Sequence, residues 1–140
     1  MLRTLAYDGR LKGVDMPADV IDVIGVVDDD ASILRAVQRL LGSLGFTVKT
    51  FGSGEDLLAS ECLARIRCLV LDVHLGGLSG FELQERLSEA PVQIPIIFIT
   101  AHDDPPTRDR ARRAGAVEYL RKPFDEHALI GAIERALGRS

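Results

Sequence analysis

The chain has only two cysteines, Cys62 and Cys68, among its 140 residues. Their spacing fits neither a Cys-x-x-Cys redox pair nor a zinc knuckle, and two are too few for a disulfide scaffold. A reducing, cytoplasmic setting is what this usage implies. Positive charge is also in short supply. Seventeen Lys and Arg face 21 Asp and Glu, for a net charge of −4. Direct binding of duplex nucleic acid is not expected of such a domain, because it requires a basic footprint. No apolar run approaches the ~20 residues that a membrane helix needs, so no membrane partner is expected. The N-terminus also lacks the apolar core of a secretory signal. Residues 1–19 show no clear periodicity and read as a flexible or loosely docked extension, with one domain over residues 20–140. Low-complexity segments and internal repeats are absent.

What is present is an ordinary globular composition, 46% hydrophobic and 27% charged, in a length that suits one domain with its own core. From Ile21 onward, short apolar runs alternate with stretches of helical period. The runs at residues 23–27, 46–51, 68–71, 96–99 and 117–120 recur at about the repeat of a β–α unit. Between them, Ile33, Val37, Leu40, Leu41 and Leu44 form the apolar stripe of a first helix. Ser53 and Asp56 resemble a capping box for the second. Ser79 starts a third helix carrying Phe81, Leu83 and Leu87. Asp104 before Pro105 and Pro106 suits a fourth start, and Asp125 caps a fifth whose stripe is Leu129, Ile133 and Leu137. Gly45 and Gly115 stand where helix ends want a left-handed residue.

Runs one, three and four are apolar throughout, as strands covered on both faces must be. Runs two and five alternate, which places them at the edges. The predicted fold is therefore α/β and doubly wound, a flavodoxin-like (βα)5 arrangement. Its parallel five-stranded sheet has the order 2-1-3-4-5, with helices on both faces. In such a sheet the ligand site lies beyond the carboxyl ends of the strands, where the winding reverses between strands one and three. Asp28, Asp29 and Asp30 end strand one, Asp72 ends strand three, Thr100 ends strand four, and Lys122 follows strand five. Converging carboxylates repel, by about 4 kcal/mol for a pair ~4 Å apart at an effective dielectric near 20. They call for a cation or a proton. An all-oxygen ligand set suits Mg²⁺, and a carboxylate beside that ion can attack a phosphoryl group.

Four segments, the acidic pair in VVDDD, LVLDVHLGGLSG, FITAH and YLRKPF, stand in register at these strand ends. From about Ile21 to Leu137 the sequence thus resembles the receiver domain of bacterial two-component response regulators. The resemblance implies a signalling phosphoacceptor that catalyses only its own phosphorylation and dephosphorylation. Asp72 would take the phosphoryl group from a sensor histidine kinase or a histidine phosphotransfer protein. Asp28, Asp29, Asp72 and the His74 carbonyl would hold Mg²⁺, Thr100 and Lys122 would contact the phosphoryl group, and Tyr119 would be an aromatic switch. The Lys122–Pro123 bond would be cis. His74 and His102 would flank the phosphate and tune its lifetime. The face made by helix four, strand five and helix five would signal to an output domain or a downstream protein, or form a phosphorylation-dependent homodimer. Gly76, followed by Gly77, stands where the family usually has proline, so the loop should be more flexible. Gly80 matches a family glycine. The end at Ser140 reads either as a single-domain regulator or as a receiver excised from a longer protein.

Other readings compete. Asp28–Asp30 could cap the first helix, with Asp30 the best placed to do so. Asp72 could be a turn residue, Lys122 a solvated lysine, Thr100 a plain strand residue and Tyr119 edge packing. The cysteines read as core filler, and no Cys/His spacing supports zinc. Helix four, rich in arginine, is either a solvated face with an Asp109–Arg113 pair or a surface for an acidic partner. Asp28-x-Asp30 also resembles the nucleophile motif of haloacid-dehalogenase-like phosphatases, with Asp28 attacking. That reading leaves Asp72 unexplained and supplies no later acidic pair. A phosphate-independent pseudo-receiver would take up no phosphoryl group at all.

Overall fold

A computed structural model describes residues 23–90 and 93–138. The proposed N-terminal extension lies outside the described residues. The elements run β1 (Val23–Val27), α1 (Ala31–Ser43), β2 (Thr47–Phe51), α2 (Gly54–Leu58), a single 3₁₀ turn (Leu63–Arg65), β3 (Ile66–Asp72), α3 (Gly80–Ser88), β4 (Ile96–Thr100), α4 (Pro105–Arg113), β5 (Glu118–Arg121) and α5 (Glu126–Ala136). The strands form one sheet in the order β2-β1-β3-β4-β5, and every pairing is parallel.

Strand alternation divides the core in two, because successive side chains leave a strand on opposite faces. Ile24, Val26, Cys68, Val70, Ile97 and Ile99 point to one face, where Val37 and Leu41 of α1 and Leu129 and Ile133 of α5 cover them. Val27, Leu69, Leu71 and Phe98 point to the other, against Leu57 of α2 and Phe81, Leu83 and Leu87 of α3. β1 and β4 are buried along their whole length, whereas β2 and β5 are half-buried or exposed. The apolar and alternating textures therefore mark centre and edge as expected. Both cysteines are buried and unpaired.

Helix starts follow the caps. Asp30, Ser53, Ser79, Asp104 and Asp125 each accept a backbone amide of the first turn. Gly45 and Gly115 have φ of 93° and 79°. Three local expectations are corrected. The reciprocal capping box belongs to α3, where the Glu82 carboxylate returns to the Ser79 amide. At α2 only Ser53 caps, and Asp56 is one methylene shorter than the Glu or Gln that closes such a box. Leu44 lies outside α1 as its C-cap and is 51% exposed, because the helix stops before the stripe returns to the core. On α4, Asp109 pairs with Arg112 rather than Arg113; both spacings bring an arginine beside it on a helix surface.

Candidate functional site at the strand carboxyl ends

The site forms where β1 and β3 lie side by side and their following helices leave on opposite faces. Register pairs Val27 with Leu71, so Asp28 and Asp72 emerge together. Ligand atoms of Asp28, Asp29 and Asp72 lie within 4.8 Å of one another. Asp28 is fully buried, Asp72 is 4% exposed, and Asp29 faces outward.

Each buried carboxylate uses one oxygen locally and turns the other toward the same cation. Asp28 Oδ1 accepts the Asp30 amide at 2.9 Å, and Asp72 Oδ1 accepts the His74 amide at 3.2 Å. Lys122 Nζ lies 2.7 Å from Asp28 Oδ2 and 3.3 Å from Asp72 Oδ2. The lysine is delivered by β5, whose end is tied to β4 by the Lys122 amide donating to the Thr100 carbonyl at 2.7 Å. The Lys122–Pro123 peptide is cis. Burial pushes the Asp72 carboxyl above its ordinary value, and the adjacent Asp28 carboxylate adds to this; the His74 amide and Lys122 oppose it. Burial alone would lower the Lys122 pKa, but its pairing with Asp28 and Asp72 overrides this and holds it raised.

The remaining predicted residues stand around this centre. Thr100 is buried, and its hydroxyl is engaged with its own loop. It accepts the His102 amide at 3.0 Å and donates to the His102 carbonyl at 3.2 Å. His74 and His102 are exposed, and their rings meet edge-on with centroids 5.4 Å apart. Tyr119 faces Phe98 in the strand register. Its hydroxyl is buried, and burial and the nearby Asp103 carboxylate push its pKa up to about 12. Asp30 takes no part in the cluster. It caps α1 by accepting the Ser32 amide, which withdraws it from any Asp-x-Asp nucleophile motif. Sequence reading missed Glu55, whose carboxylate reaches the loop after Asp72 from 23 residues away; no local pattern marks such a contact.

Taken together, the fold and site define an α/β domain with an acidic, lysine-bridged centre at the switch point of a parallel sheet. The chain belongs to the response regulator receiver domain family, whose pattern it matches over residues 24–134. It is 41% identical over 133 residues to nodulation protein W of Bradyrhizobium diazoefficiens, which covers 95% of this chain and 59% of that protein. It is 42% identical over 131 residues to the response regulator protein TmoT of Ectopseudomonas mendocina, covering 94% and 59%. The solved structure of the response regulator StyR superposes with a TM-score of 0.78 at 47% identity, over 84% of this chain and 60% of that one. The chain thus spans about three fifths of the length of these relatives. It is a signalling domain of a two-component system, and nothing in these likenesses favours the phosphatase or the phosphate-independent reading. Among the described residues, no helix is long and apolar enough to cross a membrane.

Proposed function

We propose that Asp72 accepts a phosphoryl group from a phosphohistidine donor, a sensor kinase or a phosphotransfer protein, and that the modified site biases the α4–β5–α5 face toward a partner. The observation that carries this reading is the meeting of Asp28 and Asp72, from adjacent strands, on the single ammonium of Lys122. In the transfer, an Asp72 carboxylate oxygen forms a bond to phosphorus while the donor's phosphorus–nitrogen bond breaks, and the electron pair leaves with the imidazole. Lys122 supplies positive charge where the phosphoryl oxygens arrive. Thr100 adds a hydroxyl once it releases His102.

The donor set fits a hard divalent cation. Three carboxylates offer oxygen only, and one ammonium does not balance them. Asp28, Asp29 and Asp72, with the His74 carbonyl, would hold Mg²⁺. When bound, that ion supplies charge neutralisation for the phosphoryl oxygens. Catalysis by the chain is then confined to its own phosphorylation and dephosphorylation.

Switching follows from the bonds described. Turning Thr100 toward a phosphoryl group breaks both of its bonds to His102 and draws on the loop that carries Asp103. Asp103 is held by a two-pronged bond from Arg108 at 2.7 Å and lies beside Tyr119. The surface so moved includes a groove of about 360 Å³ lined by Asp103, Arg108, Arg112, Glu118, Tyr119 and Arg121, a face of mixed charge for a partner segment or an output domain. The unpaired thiols support a cytoplasmic setting.

The test is intact-mass measurement after incubation with Mg²⁺ and phosphoramidate. A gain of one phosphoryl group in the wild-type chain and none in Asp72→Asn is expected. Uptake by Asp72→Asn but not by Asp28→Asn would instead make Asp28 the nucleophile. Transfer from candidate histidine kinases then identifies the donor.

A further inference from the structure

The loop after the acceptor aspartate contains Gly76 and Gly77, both exposed, a pair with wide backbone freedom. Its two ends are fixed. At one end His74 donates to Asp72 Oδ1, and the Gly80 amide donates to the Val73 carbonyl at 3.0 Å. At the other, Ser79 and Glu82 close the capping box of α3. The middle is held from α2, where Glu55 Oε2 accepts the Leu78 amide at 3.3 Å.

The neighbouring residues make this reach possible. Ser53 caps α2 and starts it at Gly54. Gly54 is buried, and a Cβ there would lie 3.3 Å from both Leu78 Cδ2 and Leu83 Cδ2. Its missing side chain lets α2 approach the loop closely. Gly77 has φ of 75°, and a Cβ on it would come within 3.1 Å of Glu55 Oε2. The carboxylate therefore sits against the turn itself, with its acceptor on the next amide.

We propose that Glu55 is a positioning residue for phosphotransfer at Asp72. Its bond to Leu78 sets the Gly76–Gly77 turn, and through that turn the His74 backbone, whose amide holds the acceptor carboxylate. Glu55 thereby does by a tertiary hydrogen bond what a backbone restraint in the loop would otherwise do. The inference rests on the reading of Asp72 as acceptor.

The test compares the wild-type chain with Glu55→Gln, which keeps an acceptor of the same reach, Glu55→Asp, which keeps the charge but falls one methylene short, and Glu55→Ala. Amide NMR spectra of the metal-free proteins report on His74, Gly77 and Leu78. Mg²⁺ titration and the rate of phosphorylation by phosphoramidate follow. Glu55→Ala and Glu55→Asp should shift or broaden those three amides and weaken Mg²⁺ binding and slow phosphorylation by about threefold, the scale of one exposed hydrogen bond. Glu55→Gln should match wild type. Unchanged amides and rates in Glu55→Ala overturn the inference, as does a charge pattern in which Asp behaves as wild type and Gln as Ala. Phosphorylation that survives Asp72→Asn overturns the acceptor reading, and this role with it. Its loss in Asp72→Asn alongside an unaffected Glu55→Ala overturns the role of Glu55 alone.

Discussion

The Lys122 ammonium lies closer to Asp28, at 2.7 Å, than to Asp72, at 3.3 Å. Asp28 is the more deeply buried of the two, and among the described residues its Oδ2 has no hydrogen-bond partner. The lysine thus serves first as counter-ion to the fully buried carboxylate and only second to the proposed acceptor. Asp72 Oδ2 in turn accepts a hydrogen bond from the same ammonium.

Replacing Lys122 by Met should expose that dependence. Two buried carboxylates would lose their shared cation, and metal-free stability should fall by roughly 3 kcal/mol, the low end for breaking a buried pair. Mg²⁺ should restore part of the loss by binding the folded state alone. Denaturant unfolding in chelator and in Mg²⁺ measures both. Equal stability of variant and wild type in chelator would contradict the role given to the lysine.

Asp72→Asn should stabilise the metal-free domain at pH 7. The folded-state carboxyl is held above the ordinary value of 3.8 by burial and by Asp28, so the folded chain binds its proton more readily than the unfolded one. Stability of the wild type therefore falls as pH rises through that window and stays lower above it. The advantage of the variant should shrink on acidification toward pH 3.8. Unfolding curves at several pH values, in chelator, decide the matter; a wild type more stable than the variant at pH 7 would reverse the sign.

Gly80 should be far more sensitive to alanine than Gly76. A Cβ on Gly80 would collide with the Asp72 carbonyl oxygen and lie 2.9 Å from Val73 Cα, both backbone atoms. Overpacking of this kind costs about 1–3 kcal/mol, and here it presses on the backbone of Asp72, the proposed acceptor, so phosphorylation should fall as well. At Gly76 a Cβ meets nothing within 4 Å, and Gly76→Ala should stay within about 0.5 kcal/mol of wild type. Thermal melts and phosphoramidate labelling of the two variants test the contrast.

His74→Ala and His102→Ala should alter the lifetime of the phosphorylated form more than stability. Both rings are exposed and touch each other at the mouth of the site, so their removal opens solvent access without leaving a buried cavity. The decay of phosphoprotein measured by mass should change in each variant, while unfolding midpoints hold. Equal half-lives in both variants and the parent would remove the histidines from the mechanism.

Much of this architecture was legible in the sequence because its signals are local. A cap lies within three residues of the amide it satisfies, as Ser79 does with Glu82. A strand's coverage is written in its own alternation, which placed β2 and β5 at the edges. Asp28, Asp72, Thr100 and Lys122 were found because strand ends in a parallel sheet converge by topology. Where local rules tie, reading failed: Asp109 had an arginine at both helical spacings, and only side-chain placement selected Arg112.

Which chemical groups this chain possesses, and the sheet order that gathers them, were settled by residue pattern alone, since hydrophobic period and capping act over a few neighbours. Folding in three dimensions decided how those groups share partners. It gave Lys122 to Asp28 before Asp72, 50 residues away, set His74 against His102, and brought Glu55 onto Leu78 across 23 residues. Such contacts are set by how closely packed elements approach, as the missing side chain of Gly54 allows α2 to do, and no short stretch of sequence encodes that distance.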